Sequence, residues 1–112
     1  MLRESLTAVV ARNEPWSGKV ATEPYEAGWA SEAVIFIRAL SLKKVTSGVK
    51  VRVQISPDGM NWVAEGTTFP LPTDSNKVTF ARVTQFGTWL RIRAELPQGS
   101  SVTVVVTIHV KA

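Results

Sequence analysis

The sequence predicts an all-β protein, an antiparallel β-sandwich of jelly-roll-like type. Three observations carry this: strict period-two alternation in three separate stretches, β-branched and aromatic enrichment in two more, and turn-rich segments joining them. Short strands punctuated in this way fit a sandwich or barrel better than an α/β fold.

Taken in order, "SLTAVVAR" is a candidate first strand. In residues 12–31, "RNEPWSGKVATEPYEAGWAS", Pro15, Gly18, Pro24 and Gly28 break any long element. An irregular arm is expected there, wrapping an edge or reaching a neighbouring subunit. "SEAVIFIRALSL" is a strand whose two faces are both apolar, Ile35 and Ile37 on one, Val34 and Phe36 on the other. A strand of that kind is covered on both sides or lies at an interface. After a turn at "VTSG", the stretch "GVKVRVQIS" alternates cleanly, with Val49, Val51, Val53 and Ile55 opposite Lys50, Arg52, Gln54 and Ser56.

"SPDGMNW" is a reversal rather than a ligand loop: Pro57 presets φ, Asp58 bonds its own backbone, Gly59 takes positive φ, and Asn61 and Trp62 restart the chain. "GTTFPLPTDS" reads as a loop, since Pro70 and Pro72 disfavour a central strand. "NKVTFARVT" is a further strand. "TWLRIRAEL" places Leu90, Ile92, Ala94 and Leu96 inward against Trp89, Arg91, Arg93 and Glu95 outward. The turn "LPQGSS" leads into "SVTVVVTIHVKA", with Val102, Val104, Val106, Ile108 and Val110 inward and Thr103, Val105, Thr107, His109 and Lys111 outward.

At 112 residues the chain is expected to form one domain over its whole length, with a folded surface of about 6,000 Å² for a monomer. No cysteine is present, which removes disulfides, thiolate metal sites and cysteine nucleophiles. The N-terminus lacks the pattern of a signal peptide and no apolar run is long enough to span a bilayer, so a cytoplasmic or particle-associated location is expected. His109 is the single histidine, and no nucleophile elbow, phosphate loop or EF-hand spacing occurs. No catalytic residue, metal site or cofactor is therefore expected, and the protein is not expected to be an enzyme.

The stretch "VKVRVQISPDGMNWVAEG" resembles a strand, turn and "NW" segment of discoidin-like jelly rolls and of small β-rich proteins of phage and prophage particles. "FARVTQFGTWLRIRAELPQGSSVTVVVTIHVKA" resembles their closing half. The discoidin-like resemblance implies attachment to glycans or lipid headgroups through loops; the phage resemblance implies a decoration, tail or assembly subunit.

Two residue sets are candidates for function. Trp16, Tyr25, Trp29 and Trp62 suit either a subunit interface or the face of a sugar ring. Lys50, Arg52, Arg91, Arg93, His109 and Lys111, with Trp89 as a stacking platform, form a basic stripe if their strands adjoin, suited to a polyanion or simply to solvation. The formal net charge of +4, from 13 basic and nine acidic residues, permits an anionic partner without naming one. The function expected first is a self-associating structural protein, a phage-like particle or decoration subunit; the alternatives are a module binding carbohydrate, such as a cell-surface glycan, and an anionic-polymer binder. Nucleic acid is the less favoured of the anionic partners.

Overall fold

The last strand of the chain lies in the middle of a sheet, and the rest of the architecture is arranged around it. The computed structural model describes residues 5–46 and 48–112. Among these residues nine strands form: β1 (Ser5–Trp16), β2 (Lys19–Ala21), β3 (Tyr25–Glu26), β4 (Glu32–Lys43), β5 (Lys50–Ser56), β6 (Val63–Pro70), β7 (Val78–Thr84), β8 (Trp89–Glu95) and β9 (Ser101–Lys111). They make two antiparallel sheets, one ordered β1-β9-β4-β7 and the other β2-β8-β5-β6, with β3 also paired to β8. The all-β sandwich read from the alternation is the observed fold. Its slab measures 47 × 28 × 19 Å.

In β5, Ile55 is half-buried and Ser56, assigned outward, is buried; otherwise β4, β5, β8 and β9 bury the residues their alternation assigns to the inside. From β9 these are Val102, Val104, Val106, Ile108 and Val110; from β8, Leu90, Ile92 and Ala94; from β5, Val51 and Val53; from β4, Ala33, Ile35, Ile37 and Ala39. The two inner faces meet in one core. The β2–β3 and β5–β6 connections stay within a sheet, β2 and β3 both lying along β8; the other six cross from one sheet to the other.

The segment expected as an irregular arm is mostly strand. β1 continues through Trp16, and its pairing with β9 slips twice, between Val9 and Ala11 and between Ala11 and Glu14, with Asn13 at φ 50°. Such bulges destroy period-two patterning in the sequence while preserving the strand. Pro15 is tolerated because β1 is an edge. The bulges aim Trp16 into the core, where it is fully buried and donates its Nε1 hydrogen to Glu14 Oε1 at 3.3 Å.

Downstream, the chain tracks β8 from Gly18 to Ala27. Leu96 N donates to Gly18 O, Thr22 N to Ile92 O, and Ala27 N to Thr88 O. Between β2 and β3, buried Thr22 also accepts the Ile92 N–H on its Oγ1 at 3.1 Å. These bonds pair the backbone of β8 that an open edge would leave free.

"GTTFPLPTDS" is likewise not all loop, because Gly66–Pro70 belongs to β6, an edge strand that ends at Pro70. The "VTSG" turn includes Ser47, which lies outside the described residues; Gly48 has φ 103°. The "LPQGSS" turn is closed by Ser100, whose N–H and Oγ both donate to Pro97 O.

The β5–β6 reversal is held by side chains. Ser56 Oγ accepts the Gly59 N–H at 2.8 Å and donates to Asp58 Oδ1, which also accepts the N–H groups of Met60 and Asn61. Gly59 sits at φ 78°, and a Cβ there would meet the Trp89 indole at 3.2 Å.

Trp16→Ala is expected to lower stability by about 3–5 kcal/mol, read by chemical denaturation, because it empties a fully buried indole site. Gly59→Val is expected to cost roughly 2 kcal/mol in the same assay, since a side chain must adopt a left-handed backbone against the Trp89 ring.

Candidate functional site

A sandwich with one core leaves two outer faces, and here they differ in chemistry. On the β2-β8-β5-β6 sheet the outward positions carry Arg52 directly opposite Arg93, Gln54 opposite Arg91, and Ser56 opposite Trp89. Arg91 Nε donates to Gln54 Oε1 at 2.7 Å, while its guanidinium lies 4.2 Å from the centroid of the Trp62 ring. Partial burial, with the Arg93 charge adding to it, lowers the Arg91 pKa. Lys50, Arg52 and Arg93 line a cleft of about 500 Å³ with Thr46, Glu95 and Pro97.

The basic stripe expected from the sequence is thus divided. Lys50, Arg52, Arg91 and Arg93 share this face; His109 and Lys111 lie on the outside of the other sheet. Trp89 is not a free stacking platform, because the Gly59 backbone occupies one face of its indole. Trp62 has one face covered by Arg91.

The aromatic set does not assemble into one exposed surface. Trp16 is in the core; Tyr25 pairs with inward-facing Leu90 and packs on the core; Trp29, 42% exposed, stands in the turn before β4. Trp62 is half-buried.

The outer face of the β1-β9-β4-β7 sheet is apolar at its centre. One cross-strand row reads Val9, Thr107, Phe36, Phe80; the rows on either side read Thr7, His109, Val34, Arg82 and Val105, Arg38, Val78. Phe80 is 47% exposed and Phe36 is 36% exposed, their ring centroids 6.0 Å apart. The Arg82 guanidinium lies 5.1 Å from the Phe80 centroid. Arg38 donates to Asn76 Oδ1, and His109 Nδ1 lies 3.3 Å from Thr7 Oγ1 while its Nε2 is buried without a hydrogen-bond partner among the described residues. A depression of about 300 Å³ opens among Val34, Phe36, Arg82 and His109.

Sequence reasoning found Val34, Phe36 and Val105 on this face but missed Val78, Phe80 and Val9. The signal was present in "VTFARVT", where Ala81 and Val83 point inward and leave Phe80 outside. Gln54, the hydrogen-bond partner of Arg91, was also not singled out.

No protein-family model matches the chain, and no curated protein matches it. Solved structures share its fold. The SPBc2 prophage-derived protein YomS matches with a TM-score of 0.64 at 12% identity, over 100% of this chain and 96% of that one. The PBSX exported protein XepA matches with a TM-score of 0.57 at 12% identity, over 97% of this chain and 36% of XepA, so this chain spans about a third of that protein. The likeness to β-rich prophage proteins is therefore one of fold.

Among the described residues no group of three or more metal-ligating side chains gathers, and no helix is long and apolar enough to cross a membrane.

The Asp58 turn titrates in a defined direction. Backbone donors from Asn61 and Met60, then the Asn61 and Ser56 side chains, hold its carboxyl well below the ordinary value of 3.8. A depressed folded pKa means that the stabilisation is full above the unfolded value and drains as pH falls below it. Thermal denaturation from pH 6 to pH 2 is expected to show a smaller acid loss for Asp58→Asn than for the parent protein, with the two curves parallel above about pH 4 and converging below it.

Proposed function

We propose that the protein is a non-enzymatic assembly subunit of a phage-like particle that pairs with a second copy of itself through the outer face of the β1-β9-β4-β7 sheet. The observation that carries this is the exposed row Val9, Phe36 and Phe80 at the centre of that face. Water contact with grouped apolar side chains is unfavourable, and a second sheet removes it. The fold likeness to prophage proteins supports the particle setting. Counting β2 and β3 as one interrupted strand, the strand order supports a jelly-roll reading, an architecture found in capsid domains.

The layout of the face favours an identical copy as the occupant. A two-fold axis running across the strands at the level of Ile35 reverses β4 upon itself. Val34 then meets Phe36 of the second copy, Glu32 meets Arg38 of the second copy, and Phe80 meets Arg82 of the second copy. Apolar pairs occupy the middle, and one ion pair and one cation–π pair occur twice each, as an isologous contact requires. A carbohydrate platform built from Trp16, Tyr25, Trp29 and Trp62 has less support, because Trp16 is buried, Tyr25 and Trp62 are half-buried, and Trp29 is 42% exposed.

Light scattering behind size exclusion is expected to give a mass that is a multiple of 12.2 kDa. Phe80→Arg and Arg38→Glu are each expected to reduce it to the monomer, and Glu32→Arg combined with Arg38→Glu to restore the dimer. A concentration-independent monomer for the parent protein, or an oligomer unaffected by Phe80→Arg, refutes this interface.

A further inference from the structure

The cleft on the opposite face carries charge that the fold itself does not need. Arg52 and Arg93 are direct cross-strand partners on β5 and β8, an arrangement in which like charges oppose sheet formation. Arg93 also acts unfavourably on Arg91, two residues away on the same strand face. Lys50 extends the positive line along β5. The one carboxylate lining the cleft, Glu95, is in register with Lys19 and so stands beside a cation of its own. A violation of a local rule without compensation inside the fold is characteristic of a binding site.

Arg91 shows what such a side chain looks like when it serves the fold. It is fixed by Gln54 and rests on Trp62. Arg52 is exposed and Arg93 half-buried at the wall of the cleft. Same-face residues along a strand are about 6.8 Å apart, so Lys50 and Arg52 offer two successive cationic positions to an extended ligand. The indoles that would add base stacking each have one face taken, Trp62 by Arg91 and Trp89 by Gly59.

We propose that this cleft binds a linear phosphate polymer through its backbone oxyanions, with Arg52 and Arg93 holding one phosphate between their guanidinium groups and Lys50 the next. Recognition is of charge and spacing, without reading bases. The site lies on the face away from the self-association surface and is independent of it.

Inorganic polyphosphate is the first probe, titrated against the full chain by fluorescence across a range of salt. Arg52→Gln combined with Arg93→Gln is expected to weaken binding at least tenfold and to reduce the slope of log affinity against log salt by about 2. Lys43→Gln combined with Lys77→Gln, the same change of charge placed elsewhere, is expected to leave both nearly unchanged. Circular dichroism and thermal melts at low salt check folding: the arginine variant is expected to be at least as stable as the parent, since a repulsion has been removed. An oligothymidylate of equal charge is expected to bind no more tightly than polyphosphate. Equal losses in both double variants overturn the site assignment, tighter binding of the oligothymidylate overturns the base-blind reading, and absence of polyphosphate binding at low salt overturns the proposal altogether.

Discussion

The packing of two inner sheet faces against each other is the interaction on which everything else in this molecule depends. A chain of this length can enclose one such layer, and the strands contribute to it through alternate residues. Because the inside takes Val, Ile, Leu and Ala from β4, β5, β8 and β9, the intervening positions are displayed outside as two broad faces. What each face does is decided by those intervening residues alone. The same fold that matches prophage proteins at 12% identity can therefore keep its core character while its surfaces diverge.

The two faces solve different physical problems. On one, Phe36 and Phe80 touch each other and draw Arg82 over a ring, which partly shelters apolar area without removing it from water. On the other, one arginine is anchored to Gln54 and Trp62 while its neighbours are left facing like charge. Sheltering and anchoring are local remedies, and each leaves a remainder that a partner of the right chemistry would satisfy. The backbone of β8, by contrast, is satisfied within the chain: β2, Thr22 and β3 together line it on the side away from β5, so that it is bonded on both sides.

Legibility in the sequence followed the regularity of the backbone. β5, β8 and β9 are nearly free of irregularity over their alternating runs, and their inside residues were apparent from spacing. β1 was obscured because two bulges and a positive φ at Asn13 shift the phase before Trp16. Trp16 consequently looked like an arm residue when it is the largest side chain in the core. Pro15 and Pro70 misled for a common reason: proline excludes the middle of a sheet but not its rim, and strand order is a tertiary property. For the candidate sites, the residue types were visible, but their grouping was not. Only pairing could show that Lys111 and Arg93 lie on opposite sides of the slab, or that Arg52 faces Arg93.

β9 occupies the interior of its sheet, between β1 and β4, yet it follows the other eight strands in the chain. During synthesis the other strands emerge with a gap where that sheet's middle member belongs. Among the described residues β1 has no other strand partner, and β4 has only β7 until β9 is in place. Closure of this sheet therefore waits on β9: until it is in place, the inner faces of β1 and β4 lack the strand that joins them. Delivery of β9 is the step that joins β1 to the rest of its sheet, and a chain without it keeps the strands of the β2-β8-β5-β6 sheet but not the continuous face that carries Val9, Phe36 and Phe80.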